Sequence, residues 1–254
     1  FIASTYMRGI PYIQLPTTLL SMIDSSVGGK TGINTPLGKN LIGAFWQPIA
    51  VVVELQCVLT LPDEQVINGL IEAIKIFLTH DADYFKFTDN HIEKILQRDL
   101  PVIKKIVERA IQLKIDIVSV DEKEIGTRMI LNFGHTIGHA LEKISDYTLL
   151  HGYAVALGIL VEAKISELCG LLSSENVQII YGILNKLNIS ASMLNAFKID
   201  DIIQATKTDK KTKSNRVQYV LLKKPGEAHT KDTMYSHPVT DDIVKEALMK
   251  LGEI

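Results

Sequence analysis

The chain has 254 residues, of which 46% are hydrophobic and 22% charged, with a formal net charge of −2. This composition is typical of a globular protein and excludes a disordered tail, a collagen-like repeat and a coiled coil. The near-neutral charge argues against a nucleic-acid-binding protein, and the absence of a long apolar run or signal-like segment argues against a membrane partner. Cys57 and Cys169 lie far apart, which predicts free, buried thiols and a cytoplasmic location.

The first third of the chain alternates short apolar runs with breakers. Residues 12–15, which Pro16 ends, and residues 49–55 predict two buried strands. The glycine-rich residues 25–47 between them predict a long loop, and long loops inside compact domains are usually functional.

From residue 62 the apolar residues follow the helical period. Pro62 begins a predicted helix, and Asp99 with Pro101 predicts the cap and first turn of a second one. Two more helices are expected at about residues 129–144 and 153–171. The apolar stripe along one face of the first helix consists of Val66, Ile67, Leu70, Ile71, Ile74 and Leu78.

A late hairpin interrupts this helical pattern. Residues 217–222 predict a strand, which residues 223–226 turn back toward residues 229–234. The basic residues 208–213 before the strand predict a solvated loop. The sequence therefore predicts an α/β unit over residues 1–61 and a mostly helical domain over residues 62–254.

Two familiar motifs are excluded by their spacing. Gly29-Lys30-Thr31 resembles the end of a phosphate-binding P-loop, but Asp24 stands where that loop needs glycine. His135 and His139 have metal-ligand spacing, but Thr136 replaces the glutamate of a zincin-type protease.

Three histidines beside glycines are the strongest indication of chemistry. His135 and His139 are one helical turn apart and share a face, and His151 follows before another glycine. Either these are surface histidines, or two of them bind a metal together with a carboxylate such as Glu72. The side of the helix that carries Glu72, with Asn68 and Lys75, is either a solvated face with an ion pair or the wall of a cleft, and periodicity does not decide between these interpretations.

Basic residues flank the glycine-rich stretch, namely Arg8, Lys30 and Lys39, and Asn40 follows the last of them. Cations at such a place suit anionic ligands, but they also serve solubility.

Six segments together resemble the 3-dehydroquinate synthases, in the order and nearly the spacing of that family. They are YMRGIPYIQLPTTLLSMIDSSVGGKTGIN, LGKNLIGAFWQP, GLIEAIK, NFGHTIGHALE, LHGYAVALG, and DKK followed by VQYVLL. The resemblance implies an α/β remnant of a dinucleotide-binding domain followed by a mostly α-helical metal- and substrate-binding domain. The family has a further N-terminal region with a glycine-rich segment, so we expect this chain alone to be slow or inactive.

The resemblance also implies roles for individual residues. The metal ligands would be Glu72, His135 and His151. The NAD contacts would be Thr17, Thr18, Lys39, Cys57, Val58, Leu59, Thr60 and Asn68. The substrate contacts would be Arg8, Asp24, Lys30, Asn40, Lys75, Lys114, Arg128, Asn132 and one of Lys210 and Lys211, of which we choose Lys210. The catalytic residues would be His139, Glu124 and Lys30.

The implied activity is the conversion of a sugar acid phosphate, 3-deoxy-arabino-heptulosonate 7-phosphate, to 3-dehydroquinate and phosphate. The implied cofactors are NAD and Zn²⁺ or Co²⁺, and Arg8 would reach a neighbouring subunit of a homodimer. Three alternatives stay open: a related sugar phosphate cyclase, a metal-dependent alcohol or glycerol dehydrogenase, and an inactive fragment. Arg128 and Asn132 favour the synthase over the other cyclases, and the motifs DSSVGGKTG and GHTIGH disfavour the dehydrogenase.

Overall fold

The computed structural model describes residues 1–35, 38–207 and 217–252. The first part contains the short helix α1 (Ile2–Thr5), the strands β1 (Ile13–Gln14), β2 (Lys30–Thr35), β3 (Gly38–Phe45) and β4 (Ala50–Val51), a π-helix at Ser21–Ser25 and a 3₁₀ helix at Leu55–Thr60. The later part contains α2 (Asp63–His80), α3 (Ala82–Asn90), α4 (Ile92–Leu96), α5 (Leu100–Val120), α6 (His135–Ile144), α7 (His151–Leu168), α8 (Ser174–Lys186), α9 (Ile199–Lys207), α10 (Asp241–Gly252), β5 (Gln218–Tyr219), β6 (Leu222–Lys224), β7 (Glu227–Ala228) and β8 (His237–Pro238).

The two predicted strands exist and pair with each other, in parallel, with Ile13 opposite Ala50. They are two residues long each, and the prediction that they are buried is wrong. Ile13 and Ile49 expose 52% and 69% of their surface. Neither strand has another pairing partner among the described residues, so their apolar side chains stay accessible.

The prediction of a long loop over residues 25–47 is also wrong. Most of this stretch forms an antiparallel hairpin of β2 and β3, in which Gly32 lies opposite Gly43. A Cβ atom at Gly43 would lie 2.0 Å from the carbonyl oxygen of Thr31. Glycine here allows two strands to approach closely, whereas the composition alone is typical of loops.

The helical predictions hold for the long helices. All residues of the predicted stripe on α2 are buried, and the Asp99 carboxylate caps α5 by accepting from the amide of Val102 at 3.1 Å. The helix predicted at about 129–144 is divided into a 3₁₀ helix at Thr127–Asn132 and α6. Gly134 separates them because its φ of 78° lies in the left-handed region.

The late strand is shorter than predicted and also divided. β5 pairs with β8, and β6 forms the hairpin with β7 instead of with residues 229–234. Residues 208–213, predicted as a basic loop, lie outside the described residues.

Cys57 is half-buried and Cys169 is exposed, so the prediction of buried thiols is wrong for Cys169.

The core of the helical part forms around α7, against which α2 and α6 pack. α7 is buried over most of its length. Its contact with α2 and α6 brings the first turns of α6 and α7 against the middle of α2, which places the predicted metal-binding residues together. No helix among the described residues is long and apolar enough to cross a membrane.

Candidate active site

A cavity of about 600 Å³ opens between the β2–β3 hairpin and the helical part. Its walls include the end of the π-helix, α5, the 3₁₀ helix at Thr127–Asn132, and the first turns of α6 and α7. The lining contains all the predicted catalytic residues and most of the predicted substrate contacts: Asp24, Lys30, Asn40, Lys75, Lys114, Glu124, Arg128, Asn132 and His139. Arg8 is exposed and does not line this cavity, and Lys210 lies outside the described residues.

The three predicted metal donors converge at one wall of the cavity. The Oε1 atom of Glu72 lies 3.4 Å from Nε2 of His151 and 3.7 Å from Nε2 of His135. Donors bonded at about 2.0–2.2 Å to one tetrahedral ion lie roughly 3.3–3.6 Å apart, so the separations suit a shared ion. Glu72 is fully buried, and its Oε1 accepts no hydrogen bond within the protein. A buried carboxylate oxygen whose nearest polar neighbours are two imidazole nitrogens fits a divalent cation.

The face of α2 that carries Glu72 is buried, so the interpretation of a solvated face is wrong. Asn68 and Lys75 expose 5% and 2% of their surface. The ion pair does form, with Lys75 Nζ donating to Glu72 Oε2 at 2.6 Å. Burial raises the pKa of Glu72, but Lys75 and His151 outweigh it and hold that pKa below its ordinary value. Glu72 is therefore ionised at neutral pH and has one oxygen left for a cation.

The orientation of His135 depends on its position at the first turn of α6. Its Nδ1 lies 3.3 Å from the carbonyl oxygen of Phe133, which directs Nε2 toward Glu72. The carboxylate of Glu162, buried on α7, accepts from the amides of Gly134, Thr136 and Ile137 at 2.8, 3.2 and 3.4 Å. These amides have no partner within the helix, so Glu162 fixes the beginning of α6 to α7.

His151 begins α7 and lies between two carboxylates. Its Nδ1 is 3.4 Å from Glu142 Oε1, while its Nε2 faces Glu72. Burial lowers the pKa of His151, but the two carboxylates outweigh it and raise that pKa to about 10. Without a metal ion, His151 is therefore an imidazolium at neutral pH.

Buried cations form a second part of the cavity wall. Lys114 donates to Asp24 Oδ1 at 2.6 Å, and Arg128, 2% exposed, donates to the carbonyl oxygen of Gly28 at 3.1 Å. Gly28 has a φ of 104°, which other residues rarely adopt, and a Cβ atom there would lie 2.5 Å from the Arg128 guanidinium. Buried cations that line a cavity attract anionic ligands.

Two of the predicted proton-transfer residues, Glu124 and Lys30, are in contact at the cavity wall. Glu124 contacts Lys30 through one carboxylate oxygen and Asn132 through the other. Desolvation and the Arg128 cation lower the pKa of Lys30 to about 8. The His139 ring lies edge-on to His135, with the centroids 5.3 Å apart.

The predicted NAD contacts lie outside the cavity lining. Val58 is fully buried in this chain, whereas Leu59 and Thr60 are exposed. Asn68 is held between helices, where its Oδ1 accepts from the amide of Gly152 at 2.6 Å. Lys39 donates to Glu142 at 2.8 Å. Thr17 is exposed, and Thr18 exchanges hydrogen bonds with Ser21.

Sequence reasoning missed three carboxylates that shape the site: Asp121, Glu142 and Glu162. Asp121 accepts from the amides of Ile125, Gly126 and Arg128 and so folds the segment before the 3₁₀ helix. A signal existed for Glu162, which is the single charged residue in an otherwise apolar run on α7. Glu142 lies three and seven residues after the two histidines of α6, on the same helical face.

Comparisons with known proteins identify the family of the chain. Two family profiles match the chain, "3-dehydroquinate synthase N-terminal" over residues 1–68 and "3-dehydroquinate synthase C-terminal" over residues 69–212. A 3-dehydroquinate synthase of Thermodesulfovibrio yellowstonii is 42% identical over 222 residues, covering 87% of this chain and 62% of the relative. One of Vesicomyosocius okutanii is 41% identical over 248 residues, covering 97% and 69%. The chain thus spans roughly two thirds of the length of these relatives.

Solved structures of related enzymes have the same fold. A 2-epi-5-epi-valiolone synthase from Streptomyces hygroscopicus, with NAD⁺ and Zn²⁺ bound, superposes with a TM-score of 0.89 at 25% identity, covering 99% of this chain and 69% of that one. A 2-deoxy-scyllo-inosose synthase complexed with carbaglucose-6-phosphate, NAD⁺ and Co²⁺ also gives 0.89, at 28% identity, covering 98% and 69%. A glycerol dehydrogenase from Schizosaccharomyces pombe, at 15% identity and a TM-score of 0.64, shares the fold alone.

The fold is that of the sugar phosphate cyclases, with part of a dinucleotide-binding unit followed by a mostly helical domain. Within that class, the chain belongs to the 3-dehydroquinate synthase family.

Proposed function

We propose that this protein is a 3-dehydroquinate synthase, which converts 3-deoxy-arabino-heptulosonate 7-phosphate to 3-dehydroquinate and phosphate. The observation that carries the proposal is that Glu72, His135 and His151 converge at the wall of a cavity lined by buried cations. A substrate with a carboxylate, a phosphate and neighbouring hydroxyls needs both features, because cations bind its anionic ends and a metal ion binds its hydroxyls.

The proposed cofactors are NAD and Zn²⁺ or Co²⁺, as bound in the two cyclase structures. One carboxylate and two imidazoles are a typical donor set of catalytic zinc, with Glu72, His135 and His151 as the ligands. When bound, NAD supplies a regenerated oxidant, and the metal ion supplies a Lewis acid beside the hydroxyl to be oxidised. We propose that the predicted NAD contacts form the part of the NAD site that lies in this chain. They are Thr17, Thr18, Lys39, Cys57, Val58, Leu59, Thr60 and Asn68.

The protein's own residues would hold the substrate. Lys75, Lys114 and Arg128 are almost fully buried and already fixed by neighbouring oxygens, so they change little when an anion binds. Such preorganised charges are the main electrostatic contribution that a protein makes to catalysis. Asn40 and Asn132 supply uncharged donors for hydroxyl groups in the same cavity.

Proton transfer is assigned to His139, Glu124 and Lys30. His139 lines the cavity one turn after His135, but it is not part of the Glu72, His135 and His151 group. Histidine is the side chain that most often serves as a general acid or base in enzymes. Glu124 and Lys30 contact each other at the cavity wall, so a proton passing to either reaches the other directly.

A homodimer and a cytoplasmic location belong to the same proposal. Arg8 is exposed and lies outside the lining of the cavity of its own chain, which suits a contact with the substrate of a neighbouring subunit. Mixing the Arg8→Ala variant with an inactive His139→Ala variant tests this idea, because mixed dimers regain activity only if Arg8 acts across the interface.

We expect the chain alone to be slow or inactive, so the activity is tested after joining it to the N-terminal region of a family relative. The joined protein is incubated with the substrate, NAD and Zn²⁺. We expect equimolar phosphate and 3-dehydroquinate without accumulation of NADH. A glycerol or alcohol dehydrogenase would instead accumulate NADH. Another cyclase would release phosphate from sugar phosphates that lack a carboxylate, and either result would contradict the proposal.

A further inference from the structure

Glu142 is a buried carboxylate on the far side of His151 from Glu72. It exposes 3% of its surface and lies on the same face of α6 as His135 and His139. Its Oε1 accepts from Lys39 Nζ at 2.8 Å and lies 3.4 Å from His151 Nδ1. A buried carboxylate needs such partners, because an unpaired charge away from water is costly.

The two ring nitrogens of His151 therefore face two different carboxylates. Nε2 lies 3.4 Å from Glu72 Oε1, and Nδ1 lies 3.4 Å from Glu142 Oε1. A histidine that binds a metal through one nitrogen normally donates its other N–H to a carboxylate or a carbonyl group. His135 has such a partner in the carbonyl oxygen of Phe133, and Glu142 has the matching position for His151.

A second donor group competes with this interpretation. His139, Glu142 and His151 also offer ligand atoms within 4.8 Å of one another. The hydrogen-bond partners of Glu72 and Glu142 show which of the two donor groups is the better metal site. Glu142 Oε1 already accepts from the Lys39 cation, which itself lies 4.3 Å from the centroid of the Tyr147 ring. Glu72 Oε1 accepts no hydrogen bond, so Glu72 is the carboxylate that is ready to receive a cation.

We propose that Glu142 is a positioning residue, which accepts the Nδ1–H of His151 and so directs Nε2 toward the metal ion shared with Glu72 and His135. The inference rests on the metal centre proposed above. Lys39 neutralises Glu142, so the carboxylate stays buried at the end of the donor chain. Because Lys39 is on β3, the same contact fixes the cavity hairpin to α6 beside the metal ligands.

The test compares Co²⁺ binding by metal-free wild-type protein and its variants, followed by the visible absorption of the bound ion. We expect Glu142→Ala to bind Co²⁺ about 10–100-fold more weakly, as is typical when the hydrogen-bond partner of a ligand is removed. Glu142→Gln, whose amide oxygen still accepts from Nδ1, should lose less than about tenfold. Both variants should keep the spectrum of the wild-type complex at saturation, because no ligand is lost.

The matched control is Glu167→Ala, which removes the Lys164–Glu167 ion pair (2.7 Å) from the same helix as His151. It should bind Co²⁺ as the wild type does. If Glu142→Ala also binds like the wild type, or if Glu142→Gln loses as much as Glu142→Ala, the inference is wrong. A changed spectrum in Glu142→Gln at saturation would make Glu142 a ligand and would overturn it as well. Failure of the wild type itself to bind Co²⁺ would instead contradict the proposed function, which separates the two failures.

Discussion

The amide of Gly152 donates to the side-chain oxygen of Asn68 at 2.6 Å, which fixes the beginning of α7 to the middle of α2. One residue before Gly152 is His151, and one helical turn after Asn68 is Glu72. This contact therefore sets the distance between two proposed metal ligands. The approach is close enough that a Cβ atom at position 152 would lie 2.2 Å from the backbone oxygen of Asn68.

Gly152→Ala should push α7 away from α2. We expect a loss of about 1–3 kcal/mol in the free energy of unfolding, as is typical of overpacking, together with weaker metal binding. Urea denaturation and metal titration measure both effects. The control is Gly182→Ala on α8, where a Cβ atom meets nothing within 4 Å, and which should stabilise by about 0.5–1 kcal/mol. Equal effects of the two substitutions would contradict the steric argument.

Glu72 and Lys75 form a buried ion pair, so removing one charge leaves the other buried without its partner. In metal-free protein, Glu72→Gln should destabilise by about 3–5 kcal/mol, because the buried ammonium of Lys75 loses its partner. The double variant with Lys75→Met should regain most of that loss. On the surface, Glu108→Gln removes the exposed Lys104–Glu108 pair and should cost less than about 0.5 kcal/mol. A double variant no more stable than Glu72→Gln would show that Lys75 does not carry the penalty.

The raised pKa of His151 makes metal binding depend on pH. In metal-free protein the imidazole should titrate near pH 10 by NMR, instead of near 6.5, because two carboxylates hold its proton. A metal ion has to displace that proton, so metal affinity should rise about tenfold per pH unit between pH 7 and 9. The stability that protonated His151 gives to the metal-free protein is fully present below pH 6.5 and is lost as the pH rises through about 10. A midpoint near pH 6.5 would rule out this arrangement.

His139 should act in catalysis without binding the metal. In a complete enzyme that carries these residues, His139→Ala should lower turnover by about 10²-fold or more, as expected when an acid–base group is lost, with little change in the affinity for NAD. Steady-state kinetics and NAD titration of the variant measure this. Turnover within a factor of about three of the wild type would make the histidine structural and leave proton transfer to Glu124, Lys30 or water.

Much of the helical part was predictable from local pattern. The stripe on α2 and the Asp99 cap of α5 depend on neighbours within one or two turns, and both were predicted correctly. The β2–β3 hairpin was not predicted, because rules based on local composition assign a glycine-rich segment to a loop. Gly43 is required by an oxygen of Thr31, twelve residues away in the chain, and such pairings are invisible to periodicity.

The site, too, was predictable only where it depends on neighbours in the sequence. The spacing of His135 and His139 predicts a shared face, but periodicity says nothing about what covers the face of Glu72. α7 covers it, through the contact of Gly152 with Asn68. Glu142 was missed because a single carboxylate after a histidine motif has no distinctive spacing. Its role depends on His151 from the next helix and Lys39 from a distant strand.

The metal content of purified variants shows most directly which histidines hold the metal ion. The wild type and His139→Ala should each retain about one equivalent of Zn²⁺ after dialysis, while His135→Ala should lose it and keep the helical content of the wild type. Retention of the metal ion by His135→Ala, or its loss from His139→Ala, would contradict the centre formed by Glu72, His135 and His151.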